Sequence, residues 1–279
     1  MKIKVSSSVL HFLPKAKAIW KLNEWLGVDD PDQDVLFFGL FHDRDYEVFH
    51  NVKGQKSVFW CGGDILRLKE DYERQRVIRI SPGTKHYCEN EQEAEKLRSI
   101  GIEPEVIPSF LGDIGAYPIS FKPPKPGERW KVWMCGHPKR EVEYGFDQAR
   151  ELAKMFSDVE FHFYGVDKDY EGKVRVSSDD LPNVFYHGLV PEKQLDEEIK
   201  KYHAGMRCNE HDGVSEVVIK SALLGQYTIS RIPYEGVWHY QTFEELKQLV
   251  EKLKQQTEPN LQAREIWLKK INCFPWVKK

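Results

Sequence analysis

Short apolar runs alternate along the chain with stretches of helical length whose apolar residues recur every three or four positions. Such alternation is typical of βα units that build a mainly parallel sheet. In the first half, strands are predicted over residues 2–6, 34–40, 57–61, 77–81 and 105–108. Helices are predicted over residues 15–26 and 90–99, and Asn90 is the expected N-cap of the second.

The same pattern starts again after an interruption rich in proline. Residues 117–128 show no periodicity and carry four prolines, which predicts a linker. Strands follow over residues 131–135, 159–165, 184–188, 205–208 and 226–230, and helices over residues 146–156, 192–203, 215–224, 243–254 and 261–272. We therefore predict an α/β protein with two Rossmann-like, doubly wound domains, residues 1–122 and 123–279, facing a cleft.

Composition narrows the classes of protein. The 279 residues include 41 Lys and Arg against 44 Asp and Glu, a formal net charge of −3, so no overall positive field attracts nucleic acid. The longest strongly apolar run, residues 35–41, is too short to span a bilayer, and the N-terminus does not resemble a signal peptide. Five scattered cysteines without a CxxC pair indicate a reducing compartment, and we expect a cytoplasmic protein.

Several common chemistries lack their motifs. No GxGxxG follows the first strand, and GxxxxGK[ST], HExxH and GxSxG are all absent. Cys135 and His137 are too sparse a pair for a metal site. We therefore expect neither a metal nor a bound cofactor.

The most informative segment, residues 211–216 (HDGVSE), lies between a predicted strand and a predicted helix. A glycine and an N-cap serine at such a junction leave backbone N–H groups at the positive end of the helix, where phosphate binds. An ordinary βα loop capped by Ser215 explains the same residues, and local propensity alone favours it.

The wider segment, residues 211–230, resembles the donor-site motif of retaining, glycogen-synthase-like GT-B glycosyltransferases (glycosyltransferase group 1). Asp212 and Gly213 match the acidic residue and glycine of that motif, and Gly225 matches its turn. Lys220 stands where the family has a second acidic residue, which indicates either a different nucleotide contact or lost activity. The resemblance implies that the donor site also includes three loop residues, Val214, Ser215 and Glu216.

The resemblance extends to two further loops of the second half. Gly136 ends the strand over residues 131–135, and the cations Lys139 and Arg140 follow where the family's cations meet the donor diphosphate. The alternative is that Lys139 and Arg140 are ordinary loop residues whose charges are solvated. Residues 183–191 resemble the strand and turn beside the nucleobase, which places three residues there: His187, with a structural role favoured, Gly188 and Leu189.

In the first half, Gly62, Gly63 and Asp64 match a Gly-rich turn on the acceptor side of related enzymes. Glycines permit close backbone approach, and the Asp64 carboxylate could accept hydrogen bonds from acceptor hydroxyls. A cap for a helix over residues 65–72 explains Asp64 equally well.

The resemblance implies retaining transfer of a sugar from a nucleotide-sugar donor, bound by the second domain, to an unidentified acceptor, bound by the first, without a bound metal. Asp212, Arg140 and Lys139 are the expected catalytic residues, and the last helix, residues 261–272, is expected to return toward the first domain. One alternative, motivated by Lys220, is a non-catalytic nucleotide- or sugar-binding protein. Another is a glycosyltransferase that modifies DNA bases, which would need a local basic surface.

Overall fold

The computed structural model describes residues 1–27, 32–137, 140–166 and 181–277, and the chain forms two compact units. Unit 1 comprises Met1–Asp113, Asp212–Val214 and Lys270–Lys279, and unit 2 comprises Ile114–His211 and Ser215–Lys269. The division falls before the predicted linker because Phe121 is buried in the core of unit 2.

Unit 1 is built on a six-stranded sheet in which every pair of neighbouring strands is parallel. Its strands β1–β6 are Lys2–Val5, Asn23–Glu24, Val35–Phe38, Lys56–Phe59, Lys85–Cys88 and Pro104–Val106. Their order is β2-β1-β3-β4-β5-β6. Its helices α1–α5 are Leu13–Trp20, Asp43–Asn51, Gly63–Glu70, Tyr72–Arg79 and Glu91–Arg98.

Several elements of unit 1 differ from the prediction. The strand predicted over residues 77–81 is wrong: Val77 and Ile78 belong to α4, which Asp71 caps by accepting from Arg74 N. The true strand is β5, hidden in the sequence because it begins with Lys85 and His86. The helix predicted over residues 15–26 ends at Trp20, because Lys21 adopts a left-handed conformation (φ 56°), and α2 was not predicted.

Unit 2 repeats the architecture with a second six-stranded parallel sheet. Its strands β7–β12 are Trp130–Cys135, Val159–Tyr164, Val184–Gly188, Ala204–Arg207, Tyr227–Ser230 and Trp238–His239. Their order is β12-β11-β10-β7-β8-β9. Its helices α6–α10 are Phe146–Met155, Glu192–Glu198, Glu216–Leu223, Phe243–Leu253 and Leu261–Lys270. The predicted α/β class with two doubly wound, Rossmann-like parallel sheets is confirmed.

The C-terminal residues divide between the units. Helix α10 belongs to unit 2 as far as Lys269, and the residues from Lys270 onward belong to unit 1. There Asn272 accepts from Trp20 Nε1 (3.2 Å) and Phe110 N (3.0 Å), and Phe274 is buried in the core beside β1 and β3. Unit 1 therefore needs the end of the chain to complete its core.

Candidate functional site

The sheet of unit 2 reverses its direction of strand addition between β7 and β10. Ligands of open α/β sheets bind outside the carboxyl ends of the strands at such a switch point. Arg207, the last residue of β10, donates from Nη1 to the Cys135 carbonyl at the end of β7 (2.9 Å), and its guanidinium lies 4.3 Å from the Tyr144 ring centroid. Our sequence analysis missed Arg207, although a lone cation ending an apolar strand was a usable signal.

The loop after β7 holds three of the predicted residues. A Cβ added to Gly136 would lie 2.2 Å from the Phe146 ring, so only glycine lets the loop pack on α6. Arg140 is exposed and donates from Nε to Glu143 Oε2 (2.6 Å). Lys139 lies outside the described residues. The described cations of this site are thus Arg207, nearly buried, and Arg140, close to solvent.

The three residues of the predicted nucleobase turn have different surroundings. His187 stacks on Tyr164 (4.4 Å between ring centroids) and its Nε2 lies 3.0 Å from His162 Nδ1. Burial lowers the pKa of His187 and lowers that of His162 to about 3, so both rings are neutral near pH 7. Gly188 has a left-handed conformation (φ 64°), and Leu189 is 91% exposed. This packing favours a structural role for His187.

Helix α8 begins at the other loop of the switch point. Ser215 Oγ accepts from Val217 N (3.2 Å), so the serine caps the helix as the sequence predicted. Glu216 is the first helical residue, and its carboxylate contacts the side chain of Lys220 one turn later (2.9 Å). The start of α8 is therefore fixed by a cap and an ion pair.

Lys220 lies at the centre of an ion-pair network. Its side chain is 1% exposed, and Nζ lies 2.9 Å from Asp196 Oδ1 and 3.9 Å from Glu192 Oε1, both on α7. Burial alone would lower the pKa of the Lys220 ammonium, but Glu216, Tyr117 and Asp196 outweigh burial and raise it. The lysine is charged and joins α8 to α7, a role for which sequence spacing gave no signal.

Two residues at the end of β5 anchor Asp212–Val214, which belong to unit 1. Glu89 Oε2 accepts from Val214 N (2.8 Å), and its other oxygen accepts from the Ser109 hydroxyl. Asn90 caps α5, as predicted, by accepting from Glu93 N (2.9 Å), and its amide donates to the Asp212 carbonyl (2.8 Å). One backbone N–H and one backbone carbonyl of this loop are therefore hydrogen-bonded to the side chains of Glu89 and Asn90. The sequence had not assigned either side chain to the site.

Carboxyl groups crowd this anchor. Glu93 Oε2 accepts from Glu89 N (2.9 Å), while Glu93 Oε1 is buried without a hydrogen-bond partner among the described residues. Burial raises the pKa of Glu89 to about 7, and burial together with the Glu89 charge raises that of Glu93 well above its usual range. A Cβ added to Gly213 would lie 1.9 Å from Glu89 Oε2, so the close approach requires glycine.

Asp64 is fully buried, and its carboxylate forms hydrogen bonds with the backbone after two neighbouring strands. It accepts from Leu40 N (3.1 Å) after β3, from Cys61 N (2.9 Å) after β4, and from Ile65 N (2.9 Å). Burial raises the pKa of Asp64 to about 6, although these hydrogen bonds act in the opposite direction and lower it. Gly62 precedes it in a left-handed conformation (φ 80°), and Gly63 begins α3. The geometry favours the structural alternative for Asp64.

The described residues hold neither a metal-binding cluster nor a membrane-spanning helix. They contain no group of three or more His, Cys, Asp or Glu side chains that could hold a metal ion. In the same part of the chain, every helix is too short or too polar to cross a bilayer.

The fold is that of GT-B glycosyltransferases. Sucrose-phosphate synthase of Thermosynechococcus elongatus superposes with a TM-score of 0.63 at 13% identity, over 85% of this chain and 69% of that one. The lipopolysaccharide outer core galactosyltransferase WaaB, in its apo form, also gives 0.63, at 15% identity over 96% and 79% of the chains. HepE of Anabaena, in complex with UDP and glucose, gives 0.61 at 10% identity over 85% and 73%.

The other two comparisons found nothing. No family model and no curated protein matches the sequence. At identities of 10–15%, the three solved structures above show that the fold is shared.

Proposed function

We propose that the protein is a glycosyltransferase that transfers a sugar from a nucleotide-sugar donor, with retention at the anomeric carbon and without a resident metal ion. The supporting observation is the switch point of unit 2. There Arg207 joins the ends of β10 and β7, and the capped start of α8 follows in the next loop. The fold shared with glycosyltransferases, one of them in complex with UDP and glucose, agrees with this function.

The chemistry follows from the charge of the leaving group. The bond between the anomeric carbon and the phosphate oxygen breaks, the acceptor oxygen takes its place, and the acceptor proton leaves with the diphosphate. Arg207, Arg140 and Lys139 would stabilise the negative charge that develops on the diphosphate, together with the positive end of α8. Asp212 would accept hydrogen bonds from the sugar hydroxyls, while Gly188 and Leu189 would contact the base.

The first experiment is calorimetric titration of the protein with UDP, GDP, ADP and dTDP. We expect one of these to bind, and the double variant Lys139→Ala/Arg140→Ala to weaken its binding, since each charge-assisted hydrogen bond contributes about 1.5–3 kcal/mol. Lys154→Ala is the control, because Lys154 is an exposed cation of α6 paired with Glu151. Unchanged affinity in the folded double variant would remove both cations from the site.

A non-catalytic nucleotide-sugar-binding protein is the second candidate, favoured by the ion pairs that engage Lys220. Incubation with the binding nucleotide sugar separates the two: a transferase releases nucleoside diphosphate and forms a glycoside, whereas a binding protein returns the donor intact. The anomeric configuration of the product, read by NMR coupling constants, tests retention. A cytoplasmic location stays a prediction from the five cysteines.

A further inference from the structure

A pocket of unit 2 lies at the opposite edge of the sheet from the switch-point site. Residues 119–128 lead toward β7 and residues 200–203 lead into β10, so both segments meet at the amino ends of these neighbouring strands. Together they line a cavity of about 470 Å³, a size typical of pockets that bind small molecules. Since a donor would bind at the carboxyl ends of the strands, the proposed function does not account for this cavity.

Lysine dominates the charge of the pocket. Its lining contains four lysines and one glutamate, namely Lys122, Lys125, Lys200, Lys201 and Glu128. Lys200 Nζ is paired with Glu197 Oε1 (2.6 Å), whereas the side chains of Lys122 and Lys125 form no ion pair with any residue that the structure describes. These two cations are therefore available to a ligand, in a chain whose formal net charge is −3.

The backbone between these two lysines is stiff. Pro123 and Pro124 separate them, and each proline ring fixes its own φ angle. Before them, Phe121 is buried in the core of unit 2, and its N–H donates to the Leu224 carbonyl (3.3 Å). The segment predicted as a linker is thus anchored at the pocket, which lowers the entropy that binding costs.

Ser120 adds a hydroxyl that the protein does not pair. Its backbone N–H donates to the Leu224 carbonyl (2.9 Å) and fixes its position in the pocket wall. Its Oγ is buried, without a hydrogen-bond partner among the described residues. Buried polar groups are nearly always paired, so an unpaired hydroxyl in a pocket wall indicates a group that a ligand satisfies.

His203 adds an oriented donor. Its Nδ1 accepts from Lys131 N (2.8 Å), and burial lowers the pKa of the ring to about 4, so the imidazole is neutral near pH 7. A neutral imidazole has one N–H, which is then on Nε2. In the part of the chain that the structure describes, nothing accepts from Nε2, and His203 lines the pocket.

The groups that line the pocket favour phosphate as the ligand chemistry. Two ammonium groups, a hydroxyl and an imidazole N–H all donate, so the ligand has to be rich in acceptors. A phosphate group offers three acceptor oxygens and a charge of about −1.5 to −2, more than a carboxylate does. Because the lysines come from two segments of the chain, they suit a ligand with more than one such group.

We infer that this pocket binds a small molecule with two phosphate groups, held by Lys122 and Lys125 and by the donors of Ser120 and His203. The site is separate from the donor site, and the inference does not depend on the proposed function. A nucleic acid fits less well, because it binds through many phosphate contacts along an extended surface.

The test is calorimetric titration of the full chain with pyrophosphate, fructose 1,6-bisphosphate and orthophosphate, at about 0.15 M salt to screen weak surface binding. We expect at least one of the first two to bind at least about tenfold more tightly than orthophosphate, because the second phosphate adds charge-assisted hydrogen bonds. Tighter binding of pyrophosphate assigns linked phosphates to the site, and tighter binding of the bisphosphate assigns separated ones. Equal affinity for all three, or no binding of any, overturns the inference.

A double variant locates the site. Lys122→Gln/Lys125→Gln should weaken binding of the preferred ligand at least about tenfold. Lys154→Gln/Lys247→Gln is the matched control, since it removes the same charge from exposed positions of α6 and α9 and should leave the affinity unchanged. Equal losses in the two double variants would contradict the inference. Duplex DNA that competes with the ligand and no longer binds to Lys122→Gln/Lys125→Gln would assign the pocket to nucleic acid and contradict it as well.

Ser120→Ala separates a ligand contact from a structural role. Because Oγ has no partner in the described part of the chain, its removal should not lower the free energy of unfolding without ligand. Affinity for the preferred ligand should fall about threefold or more, as expected for one lost hydrogen bond. Lower stability with unchanged affinity would overturn the assignment of Ser120 to the site.

Nucleoside diphosphate binding by the same variants distinguishes this pocket from the donor site. Lys122→Gln/Lys125→Gln should bind the nucleoside diphosphate as the wild type does. If that variant loses both ligands equally, the phosphates report on one shared site and the inference fails. If no nucleoside diphosphate binds while the two-phosphate ligand binds as expected, the proposed function fails and the pocket stands.

Discussion

The two sheets share six parallel strands but differ in strand order and in the charges at their carboxyl ends. Unit 2 has the Rossmann order, 3-2-1-4-5-6 when its strands are numbered within the unit, whereas unit 1 extends the flavodoxin-like order 2-1-3-4-5. At the strand ends of unit 1, the carboxylates Asp64, Glu89 and Glu93 accept from backbone N–H groups. In unit 2, the cations Arg207 and Lys220 take the equivalent positions at a strand end and in the helix that follows.

The two units therefore stabilise their loops by opposite means. A carboxylate can fix several N–H groups at once, and burial then raises its pKa, as it does for Asp64 and Glu89. A buried lysine has only donors, so it needs surrounding carboxylates, and Lys220 has three within 4.0 Å. Substitutions among the carboxylates of unit 1 and at Lys220 in unit 2 test how much each set of contacts contributes to the free energy of unfolding.

The largest effect is expected for Lys220→Glu. The new carboxylate would lie beside Asp196, Glu192 and Glu216 without a cation, so unfolding free energy should fall by about 3–5 kcal/mol in denaturant titrations. Lys247→Glu is the control, because its partner Glu244 is an exposed residue of the same helix, and it should cost below about 1 kcal/mol. Equal losses in the two variants would show that the Lys220 network contributes no more than a surface pair.

The expected loss of stability changes how Lys220, which replaces the second acidic residue of the family motif, is understood. From the sequence, Lys220 was interpreted as either a different nucleotide contact or a sign of lost activity, and Lys220→Glu would distinguish the two by donor binding. In the structure, the same substitution first tests stability, because the side chain is 1% exposed and engaged by α7. Donor binding by this variant is informative only where the protein is shown to be folded.

Sequence patterns predicted what depends on neighbours along the chain. Both sheets, the cap at Ser215 and the cap at Asn90 follow from periodicity and local hydrogen bonding. The contacts of Glu89 with Val214 and of Lys220 with Asp196 join residues far apart in sequence, so no local pattern indicated them. Strand β5 was missed for a related reason: its polar first residues lie near the sheet edge, where tertiary pairing outweighs propensity.

A second test concerns the close approach of Glu89 to Gly213. In Gly213→Ala, the Cβ would lie 1.9 Å from Glu89 Oε2, so the loop must move and the bond to Val214 N is strained or lost. We expect a loss of about 1–3 kcal/mol in unfolding free energy, as for other overpacked sites. Gly63→Ala is the control, since its nearest contact would be an ordinary 3.4 Å to Phe41.

Glu89→Ala tests the cause of that loss. If the clash with the carboxylate is responsible, Gly213→Ala should cost much less in a Glu89→Ala background, and the two substitutions will not be additive. Additive losses would place the strain elsewhere in the loop.

The last expected effect is a pH dependence that comes from the carboxyl cluster of unit 1. Burial raises the pKa of Glu93 above its usual 4.5 and that of Glu89 to about 7, so between these values the folded protein binds more protons than the unfolded chain. Stability should therefore fall as pH rises through this window, by up to about 1.4 kcal/mol per pH unit for each proton.

Glu93→Gln separates this contribution from that of the buried histidines, whose titration is common to both proteins. Its amide oxygen can still accept from Glu89 N, but it carries no charge at any pH. The difference in unfolding free energy between Glu93→Gln and the wild type should accordingly increase in favour of the variant from pH 5 to pH 8. Glu95→Gln, on the exposed side of α5, is the control and should leave the curve unchanged in shape. A constant difference across that range would show that Glu93 ionises alike in the folded and unfolded chain, and that unit 1 carries its buried carboxylates without a pH-dependent cost.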